Sequence, residues 1–417
     1  MDHLTCSESL HSDYSESTRT VLRSASNVRR DGGTGNYIFV DNVRFISMAA
    51  IVALHSFGLV ALVAGIAPSN WLLGCLLQLC KFGTLGFFLI SGFLMEESLR
   101  RRRSTDYLAR RIKTTFLPWL IWFGLYTSLA LVNRVITGRL NLSSSGADYL
   151  AVLSVVYDLL FSTAYWFVPN LLLAICVLLL CRRHLASLWL GAVLLLASLF
   201  YGIDAYTQWI PGETHTKALF GYVFYLWLGA WAARNFNKVE QITERIPWAA
   251  ILATSLLFGM AALIEGLVLY RMGNPEALNT LRISNQAYSV AVTLALFKAR
   301  KSLSPKALRV RSTTFGIYLS HPLLLGLGLT LAKRGALPDV FARAGHLGTL
   351  ALLVMLLCAW SVAYACSLAL THAIANRPHL CWLVGVRVPR TLAGSQATLN
   401  EAQHEQKPVI PRRIEYE

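Results

Sequence analysis

The sequence predicts an all-α polytopic membrane protein of about ten transmembrane helices with both termini on the cytoplasmic side, and three observations predict it. Of its 417 residues, 55% are hydrophobic and only 14% are charged, with a mean hydropathy of +0.50, which excludes a disordered chain and an ordinary soluble enzyme. The apolar residues gather into runs long enough to cross about 30 Å of hydrocarbon. With the N-terminus inside, 28 of the 38 Lys and Arg fall on the cytoplasmic side and eight in outer loops, the bias that sets orientation.

Residues 1–36 are rich in Ser, Thr and Arg and are expected to be a flexible cytoplasmic tail. No cleavable signal is visible in them, so the first span is expected to act as an uncleaved insertion signal. Apolar runs follow at 42–66, 71–95, 114–136, 160–181, 185–203, 218–233, 247–270, 283–297, 312–331 and 347–375. The run at 160–181 carries Pro169 near its start, where a first-turn proline is tolerated. The run at 283–297 is short and holds Ser284, Asn285, Gln286, Tyr288, Ser289 and Thr293, so it should face other helices rather than lipid. The segment 138–160, with Asp148 and Asp158, is expected outside as a loop or surface helix, because an eleventh span would invert every later loop. Residues 37–375 thus form one transmembrane domain, and 376–417 are expected to be a polar cytoplasmic tail. No internal repeat is visible, which argues mildly against transporter folds made of duplicated halves.

The formal charge of +16 does not indicate nucleic acid, since the basic residues lie between apolar runs rather than on one soluble face. The eight Cys sit mostly inside spans, and although Cys181 and His184 are close, no second ligand pair completes a metal site. No metal is expected.

Four stretches carry side chains suited to chemistry. In the first span Arg44 and His55 are eleven residues apart, which on a helix is about three turns and about 16 Å. They share one face, the Arg at the cytoplasmic mouth and the His near the midplane, where an ionisable group is costly. In the second run Lys81 lies near mid-span and Ser91-Gly92 near the cytoplasmic mouth, where small residues let backbones approach. Third is the basic stretch Arg100 to Arg103, then Arg110, Arg111 and Lys113 before Pro118-Trp119-Leu-Ile-Trp122. Most of it suits a topology determinant beside anionic lipid headgroups, while Arg110 and Lys113, on one face at the start of the third span, can clamp a phosphorylated ligand. Fourth is Gly316-Ile-Tyr318-Leu-Ser320-His321-Pro322, which brings a second histidine to a depth comparable to His55. For each His and for Ser91-Gly92, helix packing is the competing reading. Asp204, Glu213, His215 and Glu265 are weaker candidates for an acceptor site, more in keeping with interfacial or packing groups.

Taken together, these stretches resemble the acyltransferase-3 family of integral membrane O-acyltransferases. The resemblance rests on Asp41-x-x-Arg44, Arg44-x10-His55, Phe87-Phe88-Leu-Ile-Ser91-Gly92-Phe93, the basic run into Pro118, Tyr165-Trp166-Phe167 and Gly316 to Pro322. Lys81, Pro118 to Trp122 and Tyr225-Leu-Trp-Leu-Gly229 look most similar to the surface-polysaccharide acetylase branch. The resemblance implies transfer of an acyl group, usually acetyl, from cytoplasmic acyl-coenzyme A (acetyl-CoA) to a hydroxyl of an exported sugar, glycan or lipid-linked saccharide at the cytoplasmic (inner) membrane of a bacterium. It implies that Arg44, Arg110, Arg111 and Lys113 hold the donor's phosphates, that His55 is the general base, and that His321 or Ser91 stabilises the oxyanion or orients the acceptor. Direct transfer and transfer through an acylated side chain are both compatible with these residues. The membrane part is expected either to complete the reaction or to hand the group on to a glycan-assembly partner. The rival class is a proton-coupled transporter or flippase, which buried His, Lys and Glu also suit.

Overall fold

The computed structural model describes residues 37–139, 147–210, 214–305, 308–332 and 348–386. The expected N-terminal tail, Glu213 and the chain beyond residue 386 lie outside the described residues.

Helix α1 (Ile38–Ala64) stops where Gly65 turns left-handed and its N–H bonds the Ala61 carbonyl. Helix α2 (Trp71–Cys80) starts on Asn70, whose side chain accepts from the Leu73 N–H at 3.1 Å. It runs almost without interruption into α3 (Phe82–Leu99), giving one 29-residue span. Helix α4 (Ser104–Arg111) continues through a π-helical turn, Ile112–Phe116, into α5 (Leu117–Ile136). Helices α6 (Ala147–Ser162) and α7 (Phe167–Leu180) meet through the tight turn Ala164–Trp166 and are bent by 81° there. Then come α8 (Leu188–Thr207), α9 (Val223–Arg234), α10 (Phe236–Arg245), α11 (Trp248–Arg271), α12 (Ile283–Lys298), α13 (Val310–Ala332) and α14 (Thr349–Ala375). No strand occurs among the described residues.

Seven stretches among the described residues are long and apolar enough to cross a membrane, or eight if the bent α6–α7 pair counts as one span. The expected ten spans are therefore not met as ten long helices. The runs at 160–181, 218–233 and 283–297 fold as the shorter helices α7, α9 and α12. At about 1.5 Å per residue the 12-residue α9 is only about 18 Å long, short of a bilayer's hydrocarbon. The segment expected outside as a loop or surface helix contributes α6, one arm of the bent pair.

Burial separates centre from periphery. In the most apolar window of Trp71–Leu99, 72% of the residues are buried within the protein, against 17% in Thr349–Ala375. On α11 the side chains Leu252, Leu256, Leu257 and Ile264 are exposed, a surface that only a hydrocarbon solvent matches over this area. The centre is held by a close crossing of α3 and α9. A Cβ on Gly92 would stand 1.8 Å from the Leu226 carbonyl oxygen, and one on Gly229 1.9 Å from that of Leu89. The approach expected at Ser91-Gly92 is thus a reciprocal glycine contact. Polar groups are paired at this depth too: Arg282, buried, donates to the Ala262 carbonyl at 2.7 Å and to Gln78 Oε1 at 2.9 Å, and Gln78 donates to Asn285 at 2.9 Å. The polar run 283–297 accordingly faces protein.

The segment expected as a polar cytoplasmic tail begins with helical turns. After Ala375 the chain folds back into a short 3-10 turn, Cys381–Val384, with Cys381 and Val384 buried.

Candidate active site

Two cavities open at opposite ends of α1. The first, about 310 Å³, is lined by Arg44, Ser91, Arg110, Arg111, Arg311 and apolar side chains that include Ile51, Phe87 and Tyr318. The second, about 540 Å³, is lined by His55, Lys81, Asp158, Trp166, His215 and Glu276 among others. The same elements supply both. On α1 the lining passes from Ile51 in the first cavity to His55 in the second, on α3 from Phe87 to Thr84, and at the α6–α7 bend from Phe167 to Trp166. His55 therefore stands on the level where one cavity gives way to the other.

The arginine cavity is organised by Asp41. Its carboxylate accepts from Arg44 at 3.3 Å, and from Arg311 through Nε at 2.9 Å and a terminal nitrogen at 2.7 Å. Asp41 and Arg44, three residues apart, meet on one helix face, while Arg311 comes from the first turn of α13, 270 positions along the chain. Arg111 donates to the Tyr107 hydroxyl at 2.9 Å, with its guanidinium 5.2 Å from that ring's centre. Four guanidiniums thus line the cavity, two of them, Arg44 and Arg311, paired with Asp41, a setting for a polyanionic group.

Only part of the third stretch reaches this cavity: the lining takes Arg110 and Arg111 from the end of α4 and Thr114 and Thr115 from the π turn. Lys113 is exposed and outside the lining. Ser91 does line it, set in place by the Gly92 crossing.

His55 and His321 come together with ring centres 5.5 Å apart and planes inclined by 40°. His321 is fully buried, and its Nδ1 lies 3.1 Å from the Ile317 carbonyl oxygen. A carbonyl accepts only, so Nδ1 carries the proton and Nε2 presents a lone pair. That Nε2 is buried without a hydrogen-bond partner among the described residues. Pro322, inside α13, lacks an N–H and loosens the ladder in this turn. The turn is fixed from outside instead: the Tyr318 hydroxyl donates to the Ala164 carbonyl at 2.7 Å, and the Tyr165 hydroxyl donates to that of Leu319 at 2.9 Å. The α6–α7 bend is thereby clipped to α13 beside His321.

The second cavity mixes signs. Lys81 donates to the Leu278 carbonyl. His215 Nδ1 lies 3.8 Å from Glu276, and its ring meets Trp166 edge-on at 5.8 Å. Burial holds the His215 imidazole below its ordinary range, and Glu276 pulls it the other way. Lys217 lies 5.3 Å from the centre of the Tyr157 ring. Of the weaker candidates, His215 belongs here, whereas Asp204 accepts from the Ile210 N–H at 2.9 Å and Glu265 accepts from Tyr206, local packing roles. Among the described residues no three of His, Cys, Asp or Glu gather as they would around a metal ion.

Sequence reading missed Arg311 and Glu276. Arg311 had a signal: it precedes His321 by ten residues, about 15 Å on a helix, nearly repeating the Arg44 to His55 spacing. Glu276 lies in a loop and had none.

The sequence profile of the acyltransferase-3 family, described as an acyltransferase domain, matches residues 37–371. No curated protein and no solved structure matches the chain. The matched region contains both histidines, the four arginines and most of the walls of both cavities, and the helices around them are built for a bilayer, so the chain belongs to the acyltransferase-3 family and is a multi-pass membrane acyltransferase.

Proposed function

We propose that the protein moves an acyl group, acetyl in the simplest case, from acyl-coenzyme A in the arginine cavity to a hydroxyl of a sugar, glycan or lipid-linked saccharide in the opposite cavity. The observation that carries this reading is the histidine pair at the level where the two cavities meet. The donor's phosphates sit among Arg44, Arg110, Arg111 and Arg311 at the cytoplasmic mouth, and its arm runs inward past Ser91 and Phe87. About 16 Å of helix separates Arg44 from His55, a distance that a long thin thioester arm spans.

In the transfer, His55 takes the proton of the acceptor hydroxyl as that oxygen attacks the thioester carbonyl, a role suited to imidazole. The C–O bond forms, the C–S bond breaks, and the departing thiolate receives the proton that His55 took up. Ser91 lies about 10 Å of helix on the mouth side of Thr84, which shares the second cavity with His55, so its hydroxyl lines the path of the donor arm rather than meeting the oxyanion. His321, with Nδ1–H committed to a carbonyl, offers a lone pair and not a proton; it orients the hydroxyl or the His55 ring rather than stabilising the oxyanion. The second cavity, with paired acids and bases beside Trp166, receives the acceptor from the outer face of a bacterial inner membrane. The surface-polysaccharide acetylase branch fits such an acceptor, with glycan-assembly proteins as partners.

The test uses membranes supplied with labelled acetyl-coenzyme A, following label into glycan and release of free coenzyme A, for wild type and His55→Ala. Transfer by wild type alone, with donor binding kept in both, is the expected result. A chain that binds no coenzyme A would remove the donor assignment.

A further inference from the structure

The motif Pro118 to Trp122 and the segment after Ala375 have no part in the transfer just described, yet the structure joins them at the donor cavity. Trp122, buried on α5, donates its indole N–H to the Leu383 carbonyl at 3.1 Å. Val384 is buried against α13, 3.0 Å from where a Cβ on Gly316 would stand. Gly385 then turns left-handed at φ +76, with its N–H on the Trp382 carbonyl at 3.0 Å and the Val386 N–H on the Cys381 carbonyl at 3.0 Å. Gly385 lines the cavity with the arginines. A side chain there would meet the Phe315 ring at 2.7 Å, so both the backbone turn and the space require glycine. Phe315 lies four residues, one helical turn, beyond Arg311. The turn therefore borders the charged mouth and not the inner end near His55. Residue 371 is where the family match ends, so this wall is made by residues beyond the matched domain.

We infer that the turn Cys381–Gly385, pinned by Trp122, is a wall of the donor site that selects the nucleotide-bearing end of the donor. The inference rests on the acyl-coenzyme A reading above. A wall beside Arg311 and Phe315 touches the part of the donor that stays at the mouth. It does not touch the pantetheine arm and thioester, which lie further in. A donor with the same arm and no nucleotide gains nothing from the wall.

The experiment measures dissociation constants of coenzyme A and of 4′-phosphopantetheine for the full-length protein in detergent, for wild type and Trp122→Phe, together with kcat at saturating acetyl-coenzyme A. Loss of one hydrogen bond that holds the wall should weaken coenzyme A about three- to tenfold. The phosphopantetheine constant and kcat should each stay within about twofold, since only the mouth is altered. Hydrogen exchange on wild type gives a second reading independent of any variant: coenzyme A should slow exchange at the Gly385 and Val386 amides, and phosphopantetheine should not. Equal weakening of both ligands, or unchanged exchange on coenzyme A binding, overturns the inference while leaving the donor reading intact. Failure of wild type to bind coenzyme A at all would instead remove the donor reading itself.

Discussion

The two cavities share α1, α3 and the α6–α7 bend, while α13 lines only the first, and they differ in the sign of their charges. One is lined by four guanidiniums, of which Arg44 and Arg311 pair with the carboxylate of Asp41. The other sets Lys81, Lys217 and His215 beside Asp158 and Glu276. A site of one sign is fitted to a ligand that brings the opposite charge with it, since unpaired like charges are costly together. A site whose charges are already balanced fits a ligand that offers hydroxyls, because its acids and bases can then exchange hydrogen bonds with little charge left over. The contrast is the basis on which the proposed function puts the donor at one end and the acceptor at the other.

Breaking the junction between the cavities should have the largest effect. His55→Ala should lower the transfer rate by about 10²- to 10⁴-fold, the range for removing a general base, with coenzyme A affinity retained; a rate near wild type would take His55 out of the mechanism. Next comes the arginine end. Arg311→Ala, at a guanidinium held bidentately by Asp41, should weaken coenzyme A by about 10- to 100-fold, as expected for a lost charge-assisted contact, and do so less at high salt. The acceptor KM should barely move; if it rose in place of the donor constant, the two ends would have to be exchanged. A smaller change belongs to the balanced end: Glu276→Gln should raise the acceptor KM about three- to tenfold, a neutral hydrogen bond replacing a charged one, without altering coenzyme A binding in a calorimetric titration. The smallest is expected of Lys113→Ala, whose exposed side chain lies outside the cavity. Donor binding within about twofold of wild type would sharpen the boundary of the arginine cluster, and a tenfold loss would extend it.

Much of the site could be read from the chain. The face shared by Arg44 and His55 follows from helix geometry alone, and the cost of an ionisable group at membrane depth singles it out. The small pair Ser91-Gly92 announced a close helix contact, and its counterpart Gly229 lay in a motif already noted. Lys113, three residues from Arg110, falls outside the lining because the face turned to the cavity carries Arg110, Arg111, Thr114 and Thr115. Arg311 sits among several basic residues between two apolar runs, where charge alone does not single it out. Its role rests on Asp41, a contact that local pattern cannot foresee. The short helices α7, α9 and α12 count as spans by hydropathy, which reports apolar content and not the length of the helix that finally forms.

By itself the sequence determined that this chain is a bundle of membrane helices and that one of them carries an Arg and a His on the same face. Both depend on local quantities, hydrophobicity summed over a run and the angular period of a helix. Only the tertiary structure decided which side chains meet: His321 with His55, Arg311 with Asp41, Gly229 with Gly92, and Leu383 with Trp122. Those pairings span more than a hundred residues each and depend on how rigid helices pack against one another, a constraint that no single stretch of the chain contains.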